Sequence, residues 1–409
     1  MNFTSSSRLR RFQALTIASV CLLAACGSES DGTDGTSSSP DTTVATEEQA
    51  TTSTTPLAEL ATAYSRPGPY PVGVTSYALE GGNQVEVWYP AVATTTGSDS
   101  YDVRDFVPPA IRDLLTADIP ATFTYPAGRG AEAAEGSFPV VLFSHGFSGM
   151  RFQSTFLTAH LASWGMIVAA PDHWSRDLFH TLSAPVGDRA SAVTELLATL
   201  DLVTAENLKP ESILAERVDT ERVIALGHSA GGGTVLQAAF DDRVDGYISM
   251  ASGVLSLSGP ESSTPPTTAE LPAKPSFFIA GLLDQIVSAN DVTRASYELV
   301  PGPSRLWIID GVGHNGFDDF CTLGNGTGII GLAEASGLGP LLEAQPQLRR
   351  LGEDGCLPPA EPVEVGFPLI RHSITAQLRF WFGDDAEAIG IGPEVANGYD
   401  LAVEIAFKD

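Results

Sequence analysis

Five residues constrain this chain more than any others. Gly227-His228-Ser229-Ala230-Gly231 is a G-x-S-x-G pattern set between the β-branched run Arg222-Val223-Ile224-Ala225-Leu226 and a helix-like run from Gly232 to Phe240. A strand that turns sharply into a helix around a serine holds that hydroxyl exposed on strained backbone, and the flanking glycines let the chain pass close to its neighbours. The helix N-terminus then lies behind the serine, so the Ala230 N–H and the positive end of the helix dipole point to where an oxyanion would form. Three fixed residues in five are a weak signal alone; the strand before and the helix after give it context. The plainer alternative is a Gly-rich turn with a buried serine.

Apolar runs alternate with helical patterns on either side of this elbow. Val85 to Pro90, Phe138 to Phe147, Met166 to Pro171, Gly246 to Met250, Ser276 to Ala280 and Ser304 to Ile309 read as strands. Continuous apolar runs of this kind are buried on both faces, as in a parallel sheet. Helical spacing follows in Phe152 to Trp164 and in Val193, Leu196, Leu197 and Leu200. The expected fold is α/β, a doubly wound, mostly parallel sheet with helices on both faces. Thr322 to Glu361 reads as a C-terminal insertion, Pro368 to Phe382 as a final helix, and Leu401 to Phe407, alternating with period two, as a short added strand.

The N-terminus carries Arg8, Arg10 and Arg11, an apolar stretch from Phe12 to Ala25, and Leu23-Ala24-Ala25-Cys26. This reads as a signal peptide over residues 1–26, too short in its apolar part for a spanning helix. Its ending resembles a bacterial lipobox, which implies lipidation at Cys26 and membrane attachment of an extracytoplasmic protein. Residues 27–66, rich in Ser, Thr, Asp, Glu and Gly, are expected as a disordered tether, and 67–409 as one catalytic domain. Removing the leader leaves 19 basic residues (22 less three) against 50 acidic ones, a net charge of −31. That charge argues against nucleic acid as a partner. Cys321 and Cys356 then remain for one disulfide or two separate thiols.

A serine hydroxyl needs a base, and the base an orienting acid. Ligands of such sheets sit at the carboxyl ends of strands. Asp284 follows the strand Ser276 to Ala280, and His314 follows Ser304 to Ile309. Ser229, Asp284 and His314 also stand in the serine, acid, histidine order of α/β-hydrolases. The second oxyanion donor is expected from the Phe147 N–H, after an early strand. His228 is expected to be structural, His173 and His180 with Asp172 and Asp177 to be surface or pocket-lining rather than metal ligands, and Asp318 and Asp319 to be solvated. No metal or cofactor is expected.

Phe143-Ser144-His145-Gly146-Phe147, Leu161-Ala162-Ser163-Trp164-Gly165, Gly227 to Gly232 and Gly313-His314-Asn315-Gly316-Phe317-Asp318-Asp319-Phe320, with the opening Gly68 to Gly73, together resemble the plasma-type platelet-activating-factor acetylhydrolases. Cutinase-like polyester hydrolases and dienelactone hydrolases are cousins. The resemblance spans about Gly68 to Phe382 and implies metal-free hydrolysis of short or oxidised acyl esters through an acyl-enzyme. In the animal enzymes the acid follows the strand after the nucleophile helix; here Tyr247 to Ser252 holds no carboxylate, which moves the acid to Asp284. Polyester hydrolases commonly carry an aromatic near Ala251 to Val254, where this chain has small residues; dienelactone hydrolases use cysteine where it has Ser229. A polyester hydrolase and a non-catalytic binding lipoprotein are the alternatives.

Overall fold

The structure, a computed structural model, describes residues 57–183, 189–254 and 266–409. The expected leader, Cys26 and residues 27–56 of the expected tether lie outside these. The tether reading ends too late at Arg66. Leu57–Ala61 is helical, Ala61 and Tyr64 are buried, and the Tyr64 N–H donates to His372 Nδ1 at 3.1 Å. Tyr64 packs edge-on against Trp164, so one aromatic residue with Leu60 and Ala61 is enough to dock a polar stretch.

The strands, in chain order, are β1 (Val72–Ala78), β2 (Gln84–Pro90), β3 (Asp99–Asp102), β4 (Thr122–Tyr125), β5 (Gly128–Arg129), β6 (Phe138–Ser144), β7 (Ile167–Pro171), β8 (Val218–His228), β9 (Gly246–Met250), β10 (Ser276–Gly281), β11 (Ser304–Ile309) and β12 (Val403–Lys408). Ten of them form one sheet in the order β12-β11-β10-β9-β8-β6-β7-β2-β1-β5, while β3 and β4 pair separately. The stretch from β7 through β6 and β8 to β11 is parallel; β2 on β7 and β12 on β11 are antiparallel. The period-two terminal segment therefore does form an added strand. The final helix, Val363–Trp381, starts before the expected Pro368, which it contains.

Alternation along the central strands feeds two cores. Val141 and Phe143 of β6, with Ile224 and Leu226 of β8, face one side, covered by the helices Thr155–Ser163 and Val363–Trp381. Val140, Leu142, Val223 and Ala225 face the other, under Arg189–Asn207 and Ala230–Ala238. Every residue of β6 is buried, as a two-sided strand requires.

From β6 the chain moves outward to β7, then crosses back to place β8 on the other side of β6. That reversal makes a switch point, and the crevice beyond the carboxyl ends of β6 and β8 is where such a sheet holds a ligand.

Candidate active site

At the end of β8 the backbone enters the helix Ala230–Ala238 through Ser229, whose φ of 55° and ψ of −121° lie where a residue with a side chain is strained. Two close approaches force the turn. A side chain at Gly227 would strike the Gly231 carbonyl, and one at Gly231 would strike the Ser144 carbonyl of β6. The Ser229 N–H is held by the Met250 carbonyl at 2.9 Å.

The three residues expected to act together do meet. His314 Nε2 lies 3.0 Å from Ser229 Oγ, and His314 Nδ1 lies 2.8 Å from Asp284 Oδ2. The other carboxylate oxygen of Asp284 accepts the N–H groups of Ile286 and Val287 at 2.8 and 2.7 Å, which fixes the acid's rotamer. Asp284 and His314 are buried and Ser229 is half-buried. The arrangement can pass a proton from the serine to the imidazole while the carboxylate stabilises the charge that forms.

Gly146 and Phe147 follow β6 directly. The Gly146 N–H donates to Gln153 Oε1 at 2.7 Å, and the Gly146 carbonyl takes His145 Nδ1–H at 2.8 Å. His145 Nε2 in turn accepts the His173 N–H at 2.9 Å, so this imidazole is neutral with its proton on Nδ1. Burial, with the Arg176 guanidinium nearby, pushes its pKa down to about 3. His145 is therefore no base but a support for the turn.

Asp318 and Asp319 are not solvated. Both are fully buried. Burial holds the Asp318 carboxyl well above the usual range and pushes that of Asp319 up to about 8. Each has found donors that sequence adjacency to His314 hides. Phe320 N–H donates to Asp318, and Phe156 N–H, at the start of a helix, donates to Asp319. His228 Nδ1 lies 3.8 Å from Asp318 Oδ2, and burial drives His228 well below its ordinary pKa. His173 is buried, bound to Glu195 and Ser144; His180 pairs with Asp177, and Asp172 with Arg151.

Asp354 was missed. Its carboxylate receives the His314 N–H at 2.8 Å and the Gln285 N–H at 3.0 Å, tying the base's loop to the acid's loop. It stands two residues before Cys356, which is disulfide-bonded to Cys321. No signal in the sequence points to Asp354, because its partners lie 40 and 69 positions away.

Over Ser229 and His314 lies a cavity of about 130 Å³. One wall is Val103, Val107, Ile111 and Leu115; the roof comes from the insertion, with Ile330, Leu332, Leu341, Leu342 and Leu351. The insertion folds as short helices from Gly328 to Glu353. The wall from 103 to 115 was not foreseen, since it lies between weak strand signals and joins the site only through the fold.

A family model described as PETase, PET hydrolase-like, matches residues 121–321. A bis(hydroxyethyl) terephthalate hydrolase of Streptomyces coelicolor is 32% identical over 145 residues, 35% of this chain and 41% of the relative's length. The structure of a ferulic acid esterase from Streptomyces cinnamoneus superposes with a TM-score of 0.58 at 20% identity, covering 84% of this chain and 98% of that one. With the sheet order and the elbow, these likenesses establish that the chain is an α/β-hydrolase by fold.

Proposed function

We propose that the chain is a serine carboxylic ester hydrolase that works through an acyl-enzyme. The observation that carries this reading is the hydrogen-bonded series Ser229, His314, Asp284 at 3.0 and 2.8 Å, opening into the apolar cavity. Ser229 Oγ attacks the ester carbonyl as His314 Nε2 takes its proton. The Phe147 and Ala230 N–H groups hold the oxyanion, each such donor contributing about 2.7 to 4 kcal/mol of transition-state stabilisation. His314 returns the proton to the departing alkoxide, and water, activated by the same imidazole, releases the acid.

The substrates we propose are esters of aliphatic acyl chains, short-chain or phospholipid-type, as the acetylhydrolase resemblance implies. Support comes from the walls: the cavity is lined mainly by Leu, Ile and Val, a surface for a flexible alkyl chain. A second reading, hydrolysis of aromatic polyester fragments, is favoured by the family model over 121–321 and the terephthalate-ester relative. Against it stand the buried small residues Ala251 and Ser252, where a polymer cleft would carry an aromatic.

Release of p-nitrophenol from acetate, butyrate and octanoate esters, beside Ser229→Ala and bis(hydroxyethyl) terephthalate, tests these readings. Turnover lost in the variant and strongest on the alkyl esters is expected. Terephthalate release outpacing all three would favour the polyester reading. Inactivity of the folded wild-type chain on every substrate would favour a binding lipoprotein. Export and anchoring through Cys26 are part of the proposal, supported by the leader's sequence; labelling with a radiolabelled fatty acid, lost in Cys26→Ala, checks them.

A further inference from the structure

We propose that Gln153 and His228 form a positioning strut that joins the oxyanion turn to the loop of the base; this rests on the ester hydrolase reading above. The chain of bonds runs from Gly146 N–H to Gln153 Oε1 at 2.7 Å, from Gln153 Nε2 to His228 Nδ1 at 2.5 Å, and from His228 Nε2 to the His314 carbonyl at 3.0 Å. Its direction is determined throughout. Because Oε1 must accept from Gly146, the amide nitrogen faces His228, and an amide nitrogen can only donate. His228 Nδ1 is therefore bare, and Nε2 carries the proton that the His314 carbonyl accepts.

The strut is dry and uncharged. Gln153 and His228 are each 1% exposed. The second amide hydrogen of Gln153 points to Asp318 Oδ2 at 3.3 Å, and the Gln153 carbonyl takes the Asp319 N–H at 2.8 Å. Gln153 thus touches the β6 turn, the elbow and the β11 loop at once. A bond broken here leaves a buried polar group unpaired, which makes the spacing of the three segments stiff.

The functional consequence lies at one peptide. Gln153 holds Gly146 by its N–H, and His145 holds it by its carbonyl. In a trans peptide the C=O and the following N–H point in opposite directions. With the Gly146 carbonyl turned toward His145, the Phe147 N–H faces the other way, and Phe147 itself lines the cavity. At its far end the strut holds the backbone of His314. Neither Gln153 nor His228 needs to touch the reacting atoms; they set the separation between the oxyanion donor and the base.

The test uses the full chain with Gln153→Leu, His228→Leu, the double variant and His228→Asn, whose amide oxygen can still accept from Gln153. Active sites are counted by the p-nitrophenol burst from a p-nitrophenyl phosphonate, and kcat, KM and inhibition by an alkyl trifluoromethyl ketone are measured per active site. Each leucine variant is expected to lower kcat about 10- to 100-fold with KM nearly unchanged, and to weaken the ketone, which forms an oxyanion adduct, by the same factor. The double variant should be no worse than about threefold beyond the poorer single one, as members of one unit behave. His228→Asn should recover most of the loss. Unchanged kcat per active site, or a double variant that falls by the product of the singles, overturns the strut. If Gln153→Leu does not fold, the contrast between His228→Leu and His228→Asn decides alone. A wild-type chain with no burst overturns the hydrolase reading, and the strut with it; a wild-type burst beside unaffected variants overturns the strut only.

Discussion

Among the described residues stand two Ser-His-acid series with nearly the same geometry. In one, Ser229 meets His314 at 3.0 Å and His314 meets Asp284 at 2.8 Å; in the other, Ser144 meets His173 at 2.8 Å and His173 meets Glu195 at 2.9 Å. Distances alone do not tell them apart. Their surroundings do. Ser144 sits on a regular strand and is fully buried, and its hydroxyl also accepts a hydrogen bond from Arg176 at 2.7 Å. Ser229 stands on a strained turn at the mouth of a cavity, ahead of a helix N-terminus. Burial and the Arg176 guanidinium hold His173 well below its ordinary pKa, so a proton from Ser144 would find a poor acceptor. A triad is thus recognised by access and by a place for the oxyanion, and the same three side chains without these are a structural clamp.

The sharpest break between the two series is deletion of each serine. Ser229→Ala is expected to lower kcat by about 10⁴-fold or more, whereas Ser144→Ala should leave kcat within about fivefold and cost about 1 to 3 kcal/mol of stability through the partners it leaves unpaired. Kinetics and urea melts of both variants check this, and a dead Ser144→Ala that is fully folded would erase the distinction.

The acids give the next contrast. Asp284→Asn should cost about 10⁴-fold in kcat by favouring the wrong imidazole tautomer. Glu195→Gln, still able to accept from His173, should leave turnover within a few-fold.

The cavity offers a smaller effect. Leu332 is buried in the roof, and Leu332→Trp should shift preference from octanoate toward acetate. Each excluded methylene is worth about 0.8 kcal/mol, roughly fourfold, which the ratio of kcat/KM on the two esters reads. The same change at Leu208, exposed and away from the cavity lining, should do nothing to the ratio.

The pH dependence of stability sharpens the comparison from the structural side. His173 has a folded-state pKa below its unfolded one, so below about pH 6.5 the unfolded chain takes up a proton that the folded chain refuses. Its contribution is present above that pH and is lost on acidification, by up to ~1.4 kcal/mol per pH unit. His173→Gln should therefore make the fall in unfolding free energy between about pH 6.5 and 5 shallower by up to that slope.

Ser229, Asp284 and His314 were legible because each follows a strand whose apolar run marks it, and the fold brings the carboxyl ends of those strands together. The parallel sheet was legible for the same reason. Gln153 and Asp354 were not, because their roles depend on which loops meet, and a glutamine before a helix or an aspartate after an insertion carries no periodic signal. Asp318 and Asp319 misled because carboxylates in a loop are usually solvated, whereas here helix and loop N–H groups receive them in the interior. The second series escaped notice because Ser144, His173 and Glu195 lie on a strand end, a loop and a helix, and only the fold adds them up.

The most direct test of this distinction is covalent. A fluorophosphonate incubated with the native chain, followed by peptide mass spectrometry, should modify Ser229 in one-to-one proportion and leave Ser144 untouched, with esterase activity falling in step. Modification at Ser144, or no modification of a fully folded chain, would contradict the assignment of the reaction to Ser229.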